Sequence, residues 1–447
     1  MIHKSDTICA LATAYGQSGI GVIRISGGLA KSISKKILHQ DLQSRYAYYG
    51  AFFDNDNNVI DKGVAIAFPG PNSYTGEDVV EFQGHGGISV IRKLLETIIS
   101  LDVRLAEPGE FTKRAFLNGK MDLVQAEAVQ DLIQSNSEES ALSAVRSLTG
   151  EFSEKVNQIL LELISLRVFV EATIDFSDEE IDFLESHEVS SKLHSLQKSL
   201  LDILKSANQG AILRDGIHVA IAGKPNAGKS SLLNSLTKQS SAIVTDIAGT
   251  TRDVLKETIH VDGMPIHMID TAGLHNSDNI IEQEGIRRAH TEINNADVVL
   301  LVYDASDKSV DLSILPESVK DKPTIVIKNK IDLMDSETSI QNKQKNLEIA
   351  ISAKNGDGID LVRKALSDFA GLNSNTEGVF LARKRHIIAI DETLSFINSA
   401  ISQLEGGASE LVAEDLRQAG IHLGQITGEF SSDDLLGEIF SSFCIGK

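Results

Sequence analysis

The chain has 447 residues, 42% of them hydrophobic, and a formal net charge of −21. That length suggests about three domains, and the acidity opposes unspecific binding to nucleic acid, though not an RNA partner met through a local basic patch or a second protein. No apolar run reaches the roughly 20 residues that span a bilayer, the N-terminus lacks signal-peptide architecture, and Cys9 and Cys444 are too few for a disulfide scaffold, so the expected location is the cytoplasm.

Residues 1–118 read as a mixed α/β domain. Strands are expected over 7–13, 21–25, 64–68 and 79–82. A helix is expected over 88–99, where Val90, Ile91, Leu94, Leu95 and Ile98 share one face. A turn-rich loop covers 71–78. Glu81 interrupts an apolar strand, and its type and place suit the strand's wet face. His85, among glycines, equally suits a turn.

Residues 119–211 read as helices. Val156, Ile159, Leu160, Leu163 and Ile164 form one stripe. Ser177 and Glu180 have capping-box spacing. The acidic stretch 175–185 reads as solvated surface.

Residues 212–371 carry the chemistry. Gly223-Lys224-Pro225-Asn226-Ala227-Gly228-Lys229-Ser230 matches the phosphate-loop pattern, with Ser231 next. An apolar strand over 217–222 precedes it, and Leu232, Leu233 and Leu236 follow at helical spacing. Glycines let consecutive N–H groups point inward, and the following helix adds partial positive charge. Lys229 would reach the outer phosphates, and the Ser230 hydroxyl would ligate magnesium. Thr250-Thr251-Arg252 would offer a mobile threonine to the same ion. Val261-Asp262-Gly263-Met264 marks a tight hairpin at the antiparallel edge of a parallel sheet. Asp270-Thr271-Ala272-Gly273 ends a strand over 266–269. Asp270 would hold magnesium through water, and the Gly273 N–H would meet the terminal phosphate. Asn329-Lys330-Ile331-Asp332 follows a strand over 324–327. The Asp332 carboxylate only accepts hydrogen bonds, which suits the adjacent donors of guanine and not adenine. Ser352-Ala353-Lys354 would close over the base. In this order the segments resemble the guanine-nucleotide-binding domain of small GTPases.

Residues 372–447 return to helix, with stripes at Leu394, Ile397, Ile401, Leu404 and at Val412, Leu416, Ala419, Leu423, separated by Gly406-Gly407. Helices on both sides of the GTPase segment suggest one helical domain split by an insertion. The basic run 383–386 reads as a solvated helix face. The chain ends Cys444-Ile445-Gly446-Lys447.

The whole chain resembles the MnmE (TrmE) family of bacterial tRNA-modification GTPases. The likeness rests on Arg24-Ile25-Ser26-Gly27, Tyr74-Thr75-Gly76-Glu77-Asp78, the stretch 109–120, the GTPase motifs and the terminal Cys-Ile-Gly-Lys. It implies a multidomain α/β plus all-α fold: an N-terminal folate-binding-like domain that forms a homodimer (1–118), a discontinuous helical domain (119–211 and 372–447) and an inserted Ras-like GTPase domain (212–371). It implies GTP/GDP, Mg2+, K+ and 5-formyltetrahydrofolate or a related tetrahydrofolate as ligands. The folate contacts fall on Arg24, Glu81, Lys120 and Lys447. Potassium falls on Asn226 with Thr245, Ile247 and Thr250, in a nucleotide-contacting segment that includes Asp246, Ala248 and Gly249. Leu274 stands where Ras-like proteins carry a water-orienting glutamine, and Glu282 takes that role by resemblance. From spacing alone, Asn226 could equally shape the loop and Glu282 cap a helix.

The implied partners are tRNA and the flavoprotein MnmG (GidA), in a heterotetramer or larger complex. The implied reaction converts carbon 5 of the wobble uridine of certain tRNAs to its aminomethyl or carboxymethylaminomethyl form, with Cys444 a candidate catalytic thiol. The other class of reading is a regulatory or assembly GTPase acting through nucleotide-dependent partner binding.

Overall fold

A computed structural model describes residues 6–135, 137–175, 184–239, 256–261, 263–270, 296–307, 315, 322–334, 336–343, 346–371, 380–429, 433–444 and 446. The chain divides into two compact units, Met1–Ile133 with Ser147–Leu196 and Glu392–Lys447, and Gln134–Arg146 with Gln197–Asp391.

The first unit contains a six-stranded sheet of order β3-β4-β5-β2-β1-β6. Its strands are β1 (Ile8–Leu11), β2 (Ser18–Ser26), β3 (Tyr48–Phe53), β4 (Val59–Phe68), β5 (Val79–Gly86) and β6 (Arg104–Leu105). All neighbours run antiparallel except β6, which lies parallel to β1. Apolar runs locate the core of four strands. They miss β3 and the first half of β4, where Gly50 faces Gly63 and Ala51 faces Lys62, so no apolar alternation forms.

Side chains alternate between sheet faces, and register sorts them. Cys9 pairs with Ile25, Ile25 with Val80, Ile23 with Phe82, and Phe82 with Ala65. That face is buried under α1 (Ala30–Leu38) and α2 (Ile88–Ile99), whose Ile33, Ile37, Ile91, Leu94 and Ile98 complete the core. The opposite face carries Ala10, Arg24 and Glu81 in consecutive register. It is overlaid by the 71–78 loop and by α3 (Glu110–Leu117), through Tyr74 and Phe111.

The helices of this unit include α4 (Leu123–Gln134), α6 (Glu151–Asp175), α11 (Ser409–Thr427) and α12 (Asp433–Ser441). α6 and α11 pack along each other. Gly420 lies at this contact, facing the Leu160 and Leu163 side chains. Phe440 and Phe443 pack with Leu123 and Ala126 and anchor the terminal segment.

The second unit contains a seven-stranded sheet of order β12-β13-β11-β10-β7-β9-β8. β7 (Ile217–Ala222), β9 (Met264–Asp270), β10 (Val298–Asp304), β11 (Thr324–Asn329) and β13 (Asn346–Ala350) run parallel, with antiparallel edges β8 (Lys256–Val261) and β12 (Ser339–Lys343). The expected hairpin forms: Val261 pairs with Met264, and Gly263 has φ 80°. β12 is mostly polar, so no apolar run announces it. Helices of this unit include α5 (Glu138–Leu148), α8 (Lys229–Gln239) and α9 (Ile359–Phe369). α7 (Leu184–Asp215) and α10 (Lys384–Glu405) contribute residues to both units. One expectation is corrected at the start of α10: His386 is 1% exposed and accepts the Arg383 N–H at its Nδ1, 3.0 Å away, so it is not on a solvated face. The Ser177–Glu180 pair lies outside the described residues. Among the described residues, no helix is long and apolar enough to cross a membrane.

Candidate functional site

The phosphate loop leaves the end of β7 and turns into α8 at Lys229. Three of its residues have positive φ: Gly223 at 154°, Asn226 at 65° and Gly228 at 93°. Space as well as torsion demands the two glycines. A Cβ on Gly223 would lie 2.2 Å from the Val302 carbonyl oxygen, and one on Gly228 2.2 Å from the Asn329 amide. The Lys229 ammonium donates to the Gly223 and Lys224 carbonyls at 2.8 and 3.1 Å, which holds it across the loop mouth. Asn226, Ser230 and Ser231 are exposed, and Ala227 is buried. A curled loop with an ammonium across it and exposed hydroxyls at the helix start fits phosphate and a hard cation.

Asn329 binds this loop to the segments expected to recognise the base. It is 2% exposed. Its Nδ2 donates to the Ala227 carbonyl at 2.8 Å, and its Oδ1 accepts the N–H groups of Lys330 and Ala353 at 2.8 and 3.0 Å. Lys330 takes φ 68°, which carries the chain round the corner after β11. The Ser352 hydroxyl donates to Asp332 Oδ1 at 2.7 Å and orients the carboxylate. Ser235, on α8, donates to the Ala353 carbonyl at 2.6 Å, and Lys354 is exposed. The structure thus joins Ala227, Asn329, Lys330 and Ala353 by hydrogen bonds, sets Gly228 against the Asn329 amide, and pairs Ser352 with Asp332 beside them.

Motif reading missed Asp304, at the end of β10. Its carboxylate accepts the Lys330 ammonium at 2.7 Å and the Ser306 N–H and hydroxyl at 2.9 and 2.7 Å. The lysine's hydrogen bond is the main cause that lowers the Asp304 pKa to about 2. A carboxylate directly after an apolar run was the available signal.

A second cluster lies on the outer sheet face of the first unit. Arg24 and Glu81 are register partners, and Arg24 Nε meets Glu81 Oε1 at 2.9 Å, with side chains 19% and 16% exposed. Glu81 therefore stands in an ion pair and not on a freely wetted face. The guanidinium sits 5.2 Å from the Tyr74 ring centre and 5.7 Å from that of Phe111. Tyr74 shares a 2.8 Å hydrogen bond with Thr112, and burial pushes its phenol pKa up. Lys120 is exposed, and its Cγ passes 3.4 Å from where a Gly76 Cβ would stand.

The chain's end reaches the same neighbourhood. The Gly109 N–H donates to the Cys444 carbonyl at 3.3 Å. Gly446, with φ 96°, lies so close to β1 that a Cβ would come within 2.2 Å of the Leu11 carbonyl oxygen. Leu11 follows Ala10, the register partner of Arg24. Cys444 is exposed and Cys9 buried, with burial pushing the Cys9 thiol up to about 12. An arginine, a carboxylate and aromatic rings that are partly buried together suit a flat ring with polar donors and an attached anionic group. His85, in contrast, lies within β5 and not in a turn, where its Nδ1 meets Asp61 Oδ1 at 2.8 Å.

Comparison with known proteins shows the family. Residues 7–120 match the family described as GTP-binding protein TrmE N-terminus, and residues 123–444 match the MnmE helical domain. The chain is 62% identical over 447 residues to tRNA modification GTPase MnmE of Ruthia magnifica subsp. Calyptogena magnifica, covering 100% of both chains. It is 60% identical to the protein of that name from Vesicomyosocius okutanii subsp. Calyptogena okutanii (strain HA), again over 100% of both. It is 50% identical to that of Hydrogenovibrio crunogenus (strain DSM 25203 / XCL-2), over 99% of each. This chain belongs to the MnmE family.

As an MnmE family member it is a GTPase that binds GTP and GDP. The expected multidomain α/β plus helical architecture holds. Of the residues expected in its sites, Thr245 to Thr251, Thr271, Ala272, Gly273, Glu282 and Lys447 lie outside the described residues, and Asp270 is described only as the last residue of β9.

Proposed function

We propose that this chain hydrolyses GTP in the course of tRNA modification, and that with the flavoprotein MnmG it converts carbon 5 of certain wobble uridines to the aminomethyl or carboxymethylaminomethyl form. What supports the reading is convergence: Cys444 meets Gly109, Gly446 meets the Leu11 backbone at the end of β1, and β1 carries Ala10, the register partner of Arg24 in the Arg24–Glu81 pair. A GTPase acting only by partner binding has no need of that cluster.

In this reading Arg24, Lys120 and Lys447 hold the anionic part of a tetrahydrofolate, Glu81 accepts from its amino donors, and Cys444 provides a thiol beside it. The bound folate supplies a one-carbon unit. In the nucleotide site, Lys229 and the loop N–H groups of Asn226 to Ser231 hold phosphates, while Asn329, Lys330, Asp332 and Ser352 to Lys354 hold guanine. Ser230 and Thr251 hold magnesium, with Asp270 behind it. Asn226, Thr245, Ile247 and Thr250 hold potassium, Asp246 to Gly249 complete that segment, and Thr271 to Gly273 approach the terminal phosphate. Bound cations supply positive charge where negative charge grows in phosphoryl transfer. Glu282 orients the attacking water, a task the apolar Leu274 cannot perform.

The proposal includes a homodimer formed through residues 1–118, a helical domain from 119–211 and 372–447, a GTPase domain over 212–371 and a cytoplasmic location. The deciding experiment compares wobble nucleosides in bulk tRNA from cells lacking the protein. The modified uridines should disappear, return with the intact chain and stay absent with Arg24→Ala. Unchanged wobble uridines would leave a regulatory GTPase as the reading. Equal GTP turnover in matched potassium and sodium buffers would remove potassium from the proposal.

A further inference from the structure

The loop after β10, Asp304-Ala305-Ser306-Asp307, belongs to no nucleotide motif, yet it touches both halves of the nucleotide site. Towards the base side, Asp304 is the register partner of Asn329, and the Ala305 N–H donates to the Asn329 carbonyl at 2.8 Å. Asp304 Oδ2 accepts the Lys330 ammonium at 2.7 Å. Towards the phosphate side, Lys224 Nζ lies 3.8 Å from Asp307 Oδ2, and Gly223 packs against Val302 two residues before Asp304.

The two oxygens of Asp304 have different tasks. Ser306 braces Oδ1 with its N–H and its hydroxyl, which sets the plane of the carboxylate. Oδ2 is then aimed at Lys330, whose φ of 68° is uncommon for a lysine. A lysine side chain has four rotatable bonds and ordinarily samples many rotamers. Tethering its tip selects few of them before any nucleotide arrives, and an ordering cost already met does not weaken binding. The pair also neutralises the Lys330 charge, so Lys330 meets the nucleoside as an oriented stem and leaves the phosphates to Lys229.

We propose that Asp304 is a positioning residue of the nucleotide site, which acts on GTP and GDP through Lys330. The inference rests on the assignment of Asn329, Lys330 and Asp332 to guanine.

The test is a double-mutant cycle on the full-length chain, read by calorimetry with GDP and by steady-state GTP hydrolysis. Asp304→Asn should weaken GDP binding about tenfold and raise KM for GTP similarly, with kcat within about twofold of the original. Asp304→Asn/Lys330→Met should bind GDP no more weakly than Lys330→Met alone, because the aspartate acts through the lysine. Additive losses would mean that Asp304 merely supports the loop, and unchanged GDP affinity in Asp304→Asn would overturn the inference outright. If Asp304→Asn does not fold, Ser306→Ala replaces it. That variant keeps the charge and removes the hydroxyl brace, and its loss of about two- to fivefold should likewise vanish in the Lys330→Met background; a persistent loss or none overturns the inference. The two levels fail separately. If Lys330→Met and Asp332→Asn both leave GDP binding intact, the guanine assignment itself is wrong.

Discussion

In the proposed reading Asp332 carries the choice of base. Ser352 occupies one lone pair of Oδ1 and fixes the carboxylate's orientation, leaving acceptor capacity for two parallel donors. Asp332→Asn exchanges part of that capacity for a donor and leaves donors facing each other. GDP binding should weaken on the order of 100-fold, since a hydrogen bond to a charged group is lost and a polar pair is left unmatched. Xanthosine diphosphate, with a carbonyl in place of the amino group, should bind better than GDP. Calorimetry with both nucleotides decides it, and an unchanged GDP affinity counts against the assignment. Asp332 was legible from the sequence because its role follows from residue type and spacing. Asp304 was not: nothing in Val298–Asp304 beyond a carboxylate at a strand end says that a lysine 26 positions later will meet it.

At the scale of elements, a charged network ties α3 to the rest of the first unit. Arg114 is held by Glu77 at 3.0 Å, Glu110 at 2.9 Å and Asp6 at 2.9 Å, while Arg104 joins Glu110 at 2.6 Å. Glu77 also accepts the Ser26 hydroxyl at 2.7 Å, so the 71–78 loop, β2 and α3 are fastened together around Arg24. Burial pushes the Glu110 carboxyl up, but its hydrogen bonds and charges from Arg104 and Arg114 outweigh that, and the net shift is downward. A depressed folded value means that Glu110 stabilises the fold fully above its ordinary 4.5 and progressively less as pH falls through the folded value. Glu110→Gln should therefore cost about 1–3 kcal/mol at neutral pH. That is less than the usual loss for an orphaned buried partner, because Arg114 keeps Glu77 and Asp6. The gap in thermal midpoint between the two proteins should narrow below about pH 4. A gap that stays constant with pH would mean that the loss is one of packing and not of charge. Glu77, Glu110 and Arg114 lie in stretches that stood out in the sequence, Asp6 and Arg104 in none, and which carboxylate meets which guanidinium depends on separate segments arriving together.

Across the whole molecule, the terminal residues test whether the two activities separate. Chain ends usually fray, yet Phe440 and Phe443 are buried and Gly446 lies against β1. Deleting 444–447 should abolish wobble-uridine modification and leave GDP affinity and GTP turnover within about twofold; a truncated chain that still restores modified tRNA would remove the tail from the modification centre. The amino-acid sequence by itself determined the phosphate loop, the place of the Asp332 carboxylate after β11, the hairpin between β8 and β9, and the helix break at Gly406-Gly407. Each is a local demand, met by a glycine's torsion, an acceptor's chemistry or a spacing of a few residues. Only the tertiary structure decided that Arg24 meets Glu81 57 residues away under Tyr74 and Phe111, that Gly446 lies beside β1, and that Asp304 holds Lys330. Those contacts follow from sheet register and from segments folding back over one another, and no local pattern in the chain encodes the distance at which a partner will arrive.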